Sequence, residues 1–125
     1  MQKEVHETAA KEHLKIAEEY DRKMQEEAEM NRKTGLRAVA SQNYFYAGIN
    51  AVEAVLAAKQ IHSFSHESRN RNMAENPGLF SSEIYGLYNE IERDIRNKVA
   101  YRGTNGKMYE KLKEFACLAN KEAGL

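Results

Sequence analysis

The sequence predicts an all-α protein: an antiparallel up-and-down bundle of four main helices plus a short fifth, a single domain over residues 1–125. Three observations predict it. Apolar residues recur at i, i+3, i+4 and i+7 through most of the chain, and no segment reads as a strand. One proline, no tryptophan and abundant Ala, Glu, Lys and Leu favour helix. The helical segments are joined by short turns, with no internal repeat, low-complexity segment or domain linker. A chain of this length can bury roughly two thirds of its unfolded surface.

Residues 3 to about 32 read as a long first helix with Val5, Ala9, His13, Ile16, Tyr20 and Met24 in one stripe. Glu7–Lys11, Glu18–Arg22 and Glu19–Lys23 are i, i+4 pairs in the favourable order. His13 lies on the stripe and reads as a packed core-edge residue. Thr34-Gly35 is expected to break this helix, and Leu36 to about Gln60 to form the second. There Phe45, Ile49, Val52 and Leu56 line one face and Tyr44, Ala51, Val55 and Ala58 another. A helix apolar on two faces belongs at the centre of the bundle or is shared with a partner subunit, so it is expected to be the most buried element. Ala47, Gly48, Ala51 and Ala54 would let a neighbouring backbone come close.

Residues 61–81 are the irregular part. Ser65 is a candidate cap for a short helix through about Met73. Asn76-Pro77-Gly78 is a turn signal, and Leu79-Phe80 is expected to plug the end of the core. The next helix starts near Ser81 or Ser82 with Glu83 in its first turn. It carries Ile84, Leu87, Tyr88, Ile91, Ile95 and Val99 on one face and is expected to stop at Gly103, followed by a Thr104-Asn105-Gly106 turn. A last helix runs from about Lys107 to Ala123 with Met108, Leu112, Phe115 and Ala119 inward, stopped by Gly124.

Composition narrows function mainly by exclusion. Nineteen basic and nineteen acidic residues give zero net charge, which removes any global argument for a polyanionic partner. No run approaches the ~18 apolar residues of a membrane span. With the single cysteine, Cys117, and no apolar leader at the N-terminus, the expected location is cytoplasmic. No metal and no cofactor are expected. His62 and His66 are four apart, but Ser63 and Ser65 make that segment a turn, and no Glu-x-x-His pair exists for a di-metal bundle site. Serines and histidines cluster at 62–68 without a strained strand-to-helix elbow, and no glycine-rich phosphate loop is present.

The local exception to neutrality is the far end of the helix expected from Ser81 or Ser82 to Gly103. From Arg93 to Arg102 four basic residues stand against one acid, Asp94. Arg96 falls at the boundary of the apolar face, while Asn97 and Tyr101 are i, i+4 neighbours on the other flank. A guanidinium fork suits phosphate, an amide can orient it, and a phenol offers a hydroxyl and a stacking face. The same residues could instead pair internally, Arg96 with Glu92 and Lys98 with Asp94, with Tyr101 sealing the bundle end.

The run Arg96-Asn97-Lys98-Val99-Ala100-Tyr101 resembles the signature of the HEPN domains, an Arg followed after four to six residues by His. Tyr44-Phe45-Tyr46-Ala47-Gly48-Ile49-Asn50-Ala51-Val52-Glu53-Ala54 resembles the family's second helix, and Phe64-Ser65-His66 lies where many members carry Lys-Thr-His. The similarity spans residues of about 10–120. The resemblance implies a four- to five-helix bundle that commonly dimerises across a cleft. It also implies either a metal-independent ribonuclease of toxin–antitoxin systems or an inactive nucleotide- or RNA-binding module, often beside a minimal nucleotidyltransferase. This chain places Tyr101 where the motif has its His. A phenol titrating near 10 is a poor general base at neutral pH. In some toxins a Tyr two residues after the motif His is adenylylated, and that position here is Gly103. The expectation is therefore a homodimeric, non-catalytic module that binds nucleotide or RNA through Arg96, Asn97, Tyr101, Arg93, Arg102 and His66. The alternative is a divergent ribonuclease using Arg96, Asn97 and Tyr101, with His66 supplying the imidazole. A third reading is a purely structural dimer.

Overall fold

The structure is a computed structural model that describes residues 2–96 and 106–125, side chains at 95, 96 and 106 excepted. It contains α1 (Lys3–Glu26), α2 (Met30–Ala57), α3 (His66–Glu75), α4 (Ser82–Arg96) and α5 (Gly106–Glu122), and no strand among the described residues. None of these helices is long and apolar enough to cross a membrane. The expected stop at Gly103 and the turn at residues 104–105 lie outside the described residues.

The break between α1 and α2 falls at residues 27–29, earlier than the Thr34-Gly35 signal placed it. A carboxylate cap decides it. Glu29 accepts from the amides of Asn31 (3.0 Å) and Arg32 (2.7 Å), and Glu27 accepts from Arg32 Nε at 2.8 Å. With the helix started there, Gly35 is carried inside α2 at a propensity cost of about 1 kcal/mol, which the packing further along outweighs.

Two hydrogen bonds zip α1 antiparallel to α2. His6 Nδ1 meets Asn50 Oδ1 at 3.0 Å, and seven residues on, His13 Nδ1 meets Asn43 Oδ1 at 2.9 Å. Each asparagine spends its NH₂ group on a carbonyl one turn back, Tyr46 O or Val39 O. The network therefore assigns each ring the tautomer that donates from Nδ1. Ala10 and Ala47 between these rungs, and Ala17 and Ala40 one turn beyond the second, are fully buried. This rotates the first-helix stripe from its expected position: Ala10, Ala17 and Met24 take the buried line, whereas Val5 and Ile16 are exposed. Close helix approach selects the small side chains for the seam and turns the larger apolar ones outward. His13 sits at the core edge beside the Tyr46 ring, as expected. Of the three predicted i, i+4 pairs only Glu19–Lys23 closes, at 3.4 Å, while Arg22 turns to Glu26.

Helix α2 is the centre of the molecule, with thirteen buried residues against three in α1. It ends at a left-handed Gln60 (φ 61°), where the Ile61 amide returns to Leu56 O at 3.0 Å. Helix α5 lies on α2 through Met108, Tyr109, Leu112, Phe115, Ala116 and Ala119. The Phe115 ring occupies the space that a side chain at Gly48 would need. Tyr109 donates to Asp21 of α1, so α1, α2 and α5 share one core. Gly124 (φ 79°) stops α5, with the Leu125 amide closing on Asn120 O at 2.9 Å. Helix α4 runs antiparallel to α5, fixed by Ser81–Glu122 (2.7 Å) just before its start and by Glu90–Lys111 (2.6 Å) past its middle. It buries Ile84, Tyr88 and Ile91, and Leu79 and Phe80 pack against the end of the core ahead of it.

Candidate functional site: the groove between α3 and α4

Helix α3 is short and needs anchors. The first is a capping box: Ser65 Oγ accepts from the Ser68 amide (3.1 Å), and Ser68 Oγ accepts from the Ser65 amide (3.0 Å). Asn72 holds the preceding loop through His62 O (3.3 Å) and Ser63 Oγ (3.1 Å). The third anchor is a buried polar node. Arg69 Nε donates to Glu53 Oε1 of α2 at 2.7 Å, with only 12% and 8% of the two side chains exposed. Its Nη1 donates to His66 Nδ1 (3.0 Å) and to Tyr88 Oη of α4 (3.3 Å), and the Tyr88 hydroxyl donates to His66 O (3.2 Å). One guanidinium thus joins α2, α3 and α4.

Electrostatics explain why this charge is tolerated. Burial opposes the Arg69 cation, but the Tyr88 phenol and the Glu53 carboxylate outweigh it and hold its pKa above the ordinary value. Burial pushes the Tyr88 phenol up against the opposing pull of Arg69. Because an arginine can only donate, His66 Nδ1 is an acceptor and its imidazole is committed to the node.

Outside the node, α3 and α4 form a groove of about 420 Å³ lined by Glu67, Asn70, Arg71, Asn89, Glu92 and Arg93. Its floor is an amide network. Asn70 donates to Asn89 Oδ1 and to Glu92 Oε2 (3.1 Å) and accepts from the Tyr85 hydroxyl (3.1 Å). Asn89 in turn donates to Tyr85 O at 2.9 Å. The walls carry two guanidinium groups from different helices. Arg71 makes no hydrogen bond or ion pair among the described residues, whereas Arg93 pairs loosely with Asp94 at 3.9 Å and lies close enough to Glu90 to help Lys111 lower its pKa. The two exposed guanidinium groups share the groove with two carboxylates, Glu67 and Glu92, the second of which is buried and accepts from Asn70. The guanidinium forks can still grip an anion while the amides orient a planar polar group beside it.

Of the residues singled out from sequence, Arg93 lines this groove and His66 belongs to the node behind it. Arg96 is the last residue of α4, one turn beyond Glu92 and Arg93, and its side chain lies outside the described part. Asn97, Tyr101 and Arg102 lie outside the described residues. Sequence reading missed Glu53, Arg69, Asn70, Arg71 and Asn89. One signal was available: Glu53 is an acid inside the apolar run Ala51-Val52-Glu53-Ala54-Val55, and a carboxylate in such a helix requires a cation from elsewhere. Among the described residues no three His, Cys, Asp or Glu side chains converge as a metal set. Cys117 stands exposed on α5, where desolvation and Glu18 push its thiol pKa up. No family model, curated protein or solved structure matches the chain.

Proposed function

We propose that the chain is a small HEPN-type helical module that binds nucleotide or RNA phosphate along the α3–α4 groove and the basic end of α4. The observation that carries this reading is the pair Arg71 and Arg93, which stand on two helices over one amide-lined groove. Arg71 has no carboxylate partner among the described residues and Arg93 has only a loose one, Asp94 at 3.9 Å, which leaves both guanidinium groups able to turn to an anion. The groove leads toward Arg96, the residue on which the sequence resemblance turns. On this reading the protein is a cytoplasmic homodimer, an up-and-down bundle of the family type, acting beside a minimal nucleotidyltransferase in a toxin–antitoxin-like system. It is non-catalytic. Tyr101 stands at the motif His position in the sequence, and the imidazole that could substitute, His66, has its Nδ1 occupied by Arg69. The alternative, a metal-independent ribonuclease built on Arg96, Asn97 and Tyr101, rests on the resemblance alone.

The test is binding and cleavage of a fluorescent single-stranded RNA with chelator present, for the wild type, Arg71→Ala, Arg93→Ala and Arg96→Ala. Binding without cleavage, weakened in each variant at unchanged melting temperature, is the expected result. Cleavage lost in Arg96→Ala would instead establish the ribonuclease. If the wild type does not bind, or the arginine variants bind as well as it does, the groove is not the site.

A further inference from the structure

We infer that Phe64 is a stacking platform for an unpaired base, so that the preferred ligand of the α3–α4 groove is single-stranded RNA. The inference rests on the nucleic-acid reading above and narrows it. Phe64 is 93% exposed, whereas the other exposed large apolar side chains lie between 36% and 69%. A residue just before a helix cap ordinarily folds back onto the first turn, and this one does not. Its position is nevertheless fixed. The Phe64 amide donates to Ser68 Oγ at 2.8 Å, inside the capping box, and Asn72 ties down the two residues before it. The ring is thus held in water by a loop pinned on both sides, although burying it would be favourable by about 2 kcal/mol.

Its place in the fold supplies the ligand. Phe64 heads the helix whose next two turns give Asn70 and Arg71 to the groove. The five residues from His66 to Arg71 span roughly 8 Å at ~1.5 Å rise, and Phe64 stands two residues before them, so ring and guanidinium are separated by a distance that adjacent nucleotides of one strand can bridge. Proteins that hold single strands combine a cationic track with an aromatic face, because every base offers a π-surface regardless of sequence. A duplex keeps its bases stacked on one another and leaves such a ring nothing to cover.

The experiment is fluorescence anisotropy with three probes of matched phosphate number: a single-stranded RNA, the same strand without bases, and a fully paired RNA. Wild type, Phe64→Ala, Phe64→Trp and Arg71→Ala are compared, with thermal melts as a folding control. Loss of one base stack weakens binding by roughly ten-fold, within the range of about five- to hundred-fold per base. Phe64→Ala is expected to lose this for the single strand alone, at unchanged melting temperature, and Phe64→Trp to restore it. Arg71→Ala is expected to weaken all three probes. If Phe64→Ala binds the single strand as tightly as wild type, or the baseless strand binds equally well, stacking is wrong while the phosphate groove stands. If wild type binds none of the probes, the groove reading and this inference both fall.

Discussion

The Glu53–Arg69 pair allows a prediction whose size follows from the geometry. Replacing Glu53 by Leu leaves a guanidinium facing apolar surroundings, and removing one partner of a buried pair costs about 3–5 kcal/mol. Two considerations set where in that range the result falls. Arg69 keeps acceptors in Tyr88 Oη and His66 Nδ1, which favours the lower end, about 3 kcal/mol. A guanidinium stays protonated at any pH near neutrality, so the cation cannot escape by losing a proton, and the penalty should not relax between mildly acidic and mildly alkaline pH. Glu53→Gln keeps an acceptor and loses the charge, so about 1.5 kcal/mol is expected, the difference between a charge-assisted and a neutral hydrogen bond. The double variant Glu53→Leu with Arg69→Met should recover most of the loss, because a well-packed apolar pair replaces a buried ion pair at little cost. Urea denaturation of wild type, these three variants and Arg69→Met alone measures this, and in thermal melts 3 kcal/mol corresponds to roughly 10–15 °C for a chain of this size. The reasoning is refuted if Glu53→Leu lies within 0.5 kcal/mol of wild type, roughly the resolution of such cycles, or if the two single losses simply add.

Two further predictions probe the rest of the core. Gly48→Ala gains about 1 kcal/mol of helix propensity, but its Cβ would overlap the buried Phe115 ring at Cε2 and Cδ2 and stand 3.1 Å from Cζ. The net expectation is a loss of about 2 kcal/mol in urea titration, and an unchanged or raised midpoint would show that α2 and α5 can separate. Burial raises the phenol pKa values of Tyr44, Tyr88 and Tyr109 above their ordinary value near 10. A raised folded pKa stabilises fully below the unfolded value, and that stability is lost as pH climbs from about 10 toward the folded values. Alkaline unfolding should therefore begin near pH 10, with these three of the seven tyrosines ionising only as the helices melt. Phenolate absorbance compared with far-ultraviolet circular dichroism tests this, and complete ionisation of an intact fold would overturn it.

What the sequence discloses here depends on whether an element's stability is written locally. Helix α3 is legible because Ser65 is a cap of the right type, and the inward residues of α5 are legible because Met108, Leu112, Phe115 and Ala119 keep helical spacing. The α1–α2 break is not, because Gly35 is the stronger local signal and the outcome turns on the Glu29 carboxylate reaching two amides. The first-helix stripe misleads for a related reason. Apolar periodicity ranks Val5 and Ile16 above Ala10 and Ala17, yet the seam held by His6–Asn50 and His13–Asn43 buries the two alanines of α1 and leaves Val5 and Ile16 exposed. The candidate site is the least local feature of all. Arg93 stands out because it begins a basic cluster, but Arg71 gains significance only when α3 folds beside α4 and leaves its guanidinium over Asn70 and Asn89. That folding is enforced from behind by Arg69, whose partners Glu53 and Tyr88 lie 16 and 19 residues away in sequence. The buried cation therefore sets the relative placement of the helices that carry the exposed ones. It follows that variants at Glu53 which still fold should weaken ligand binding through displacement of α3, while variants at Arg71 should weaken it with the fold untouched.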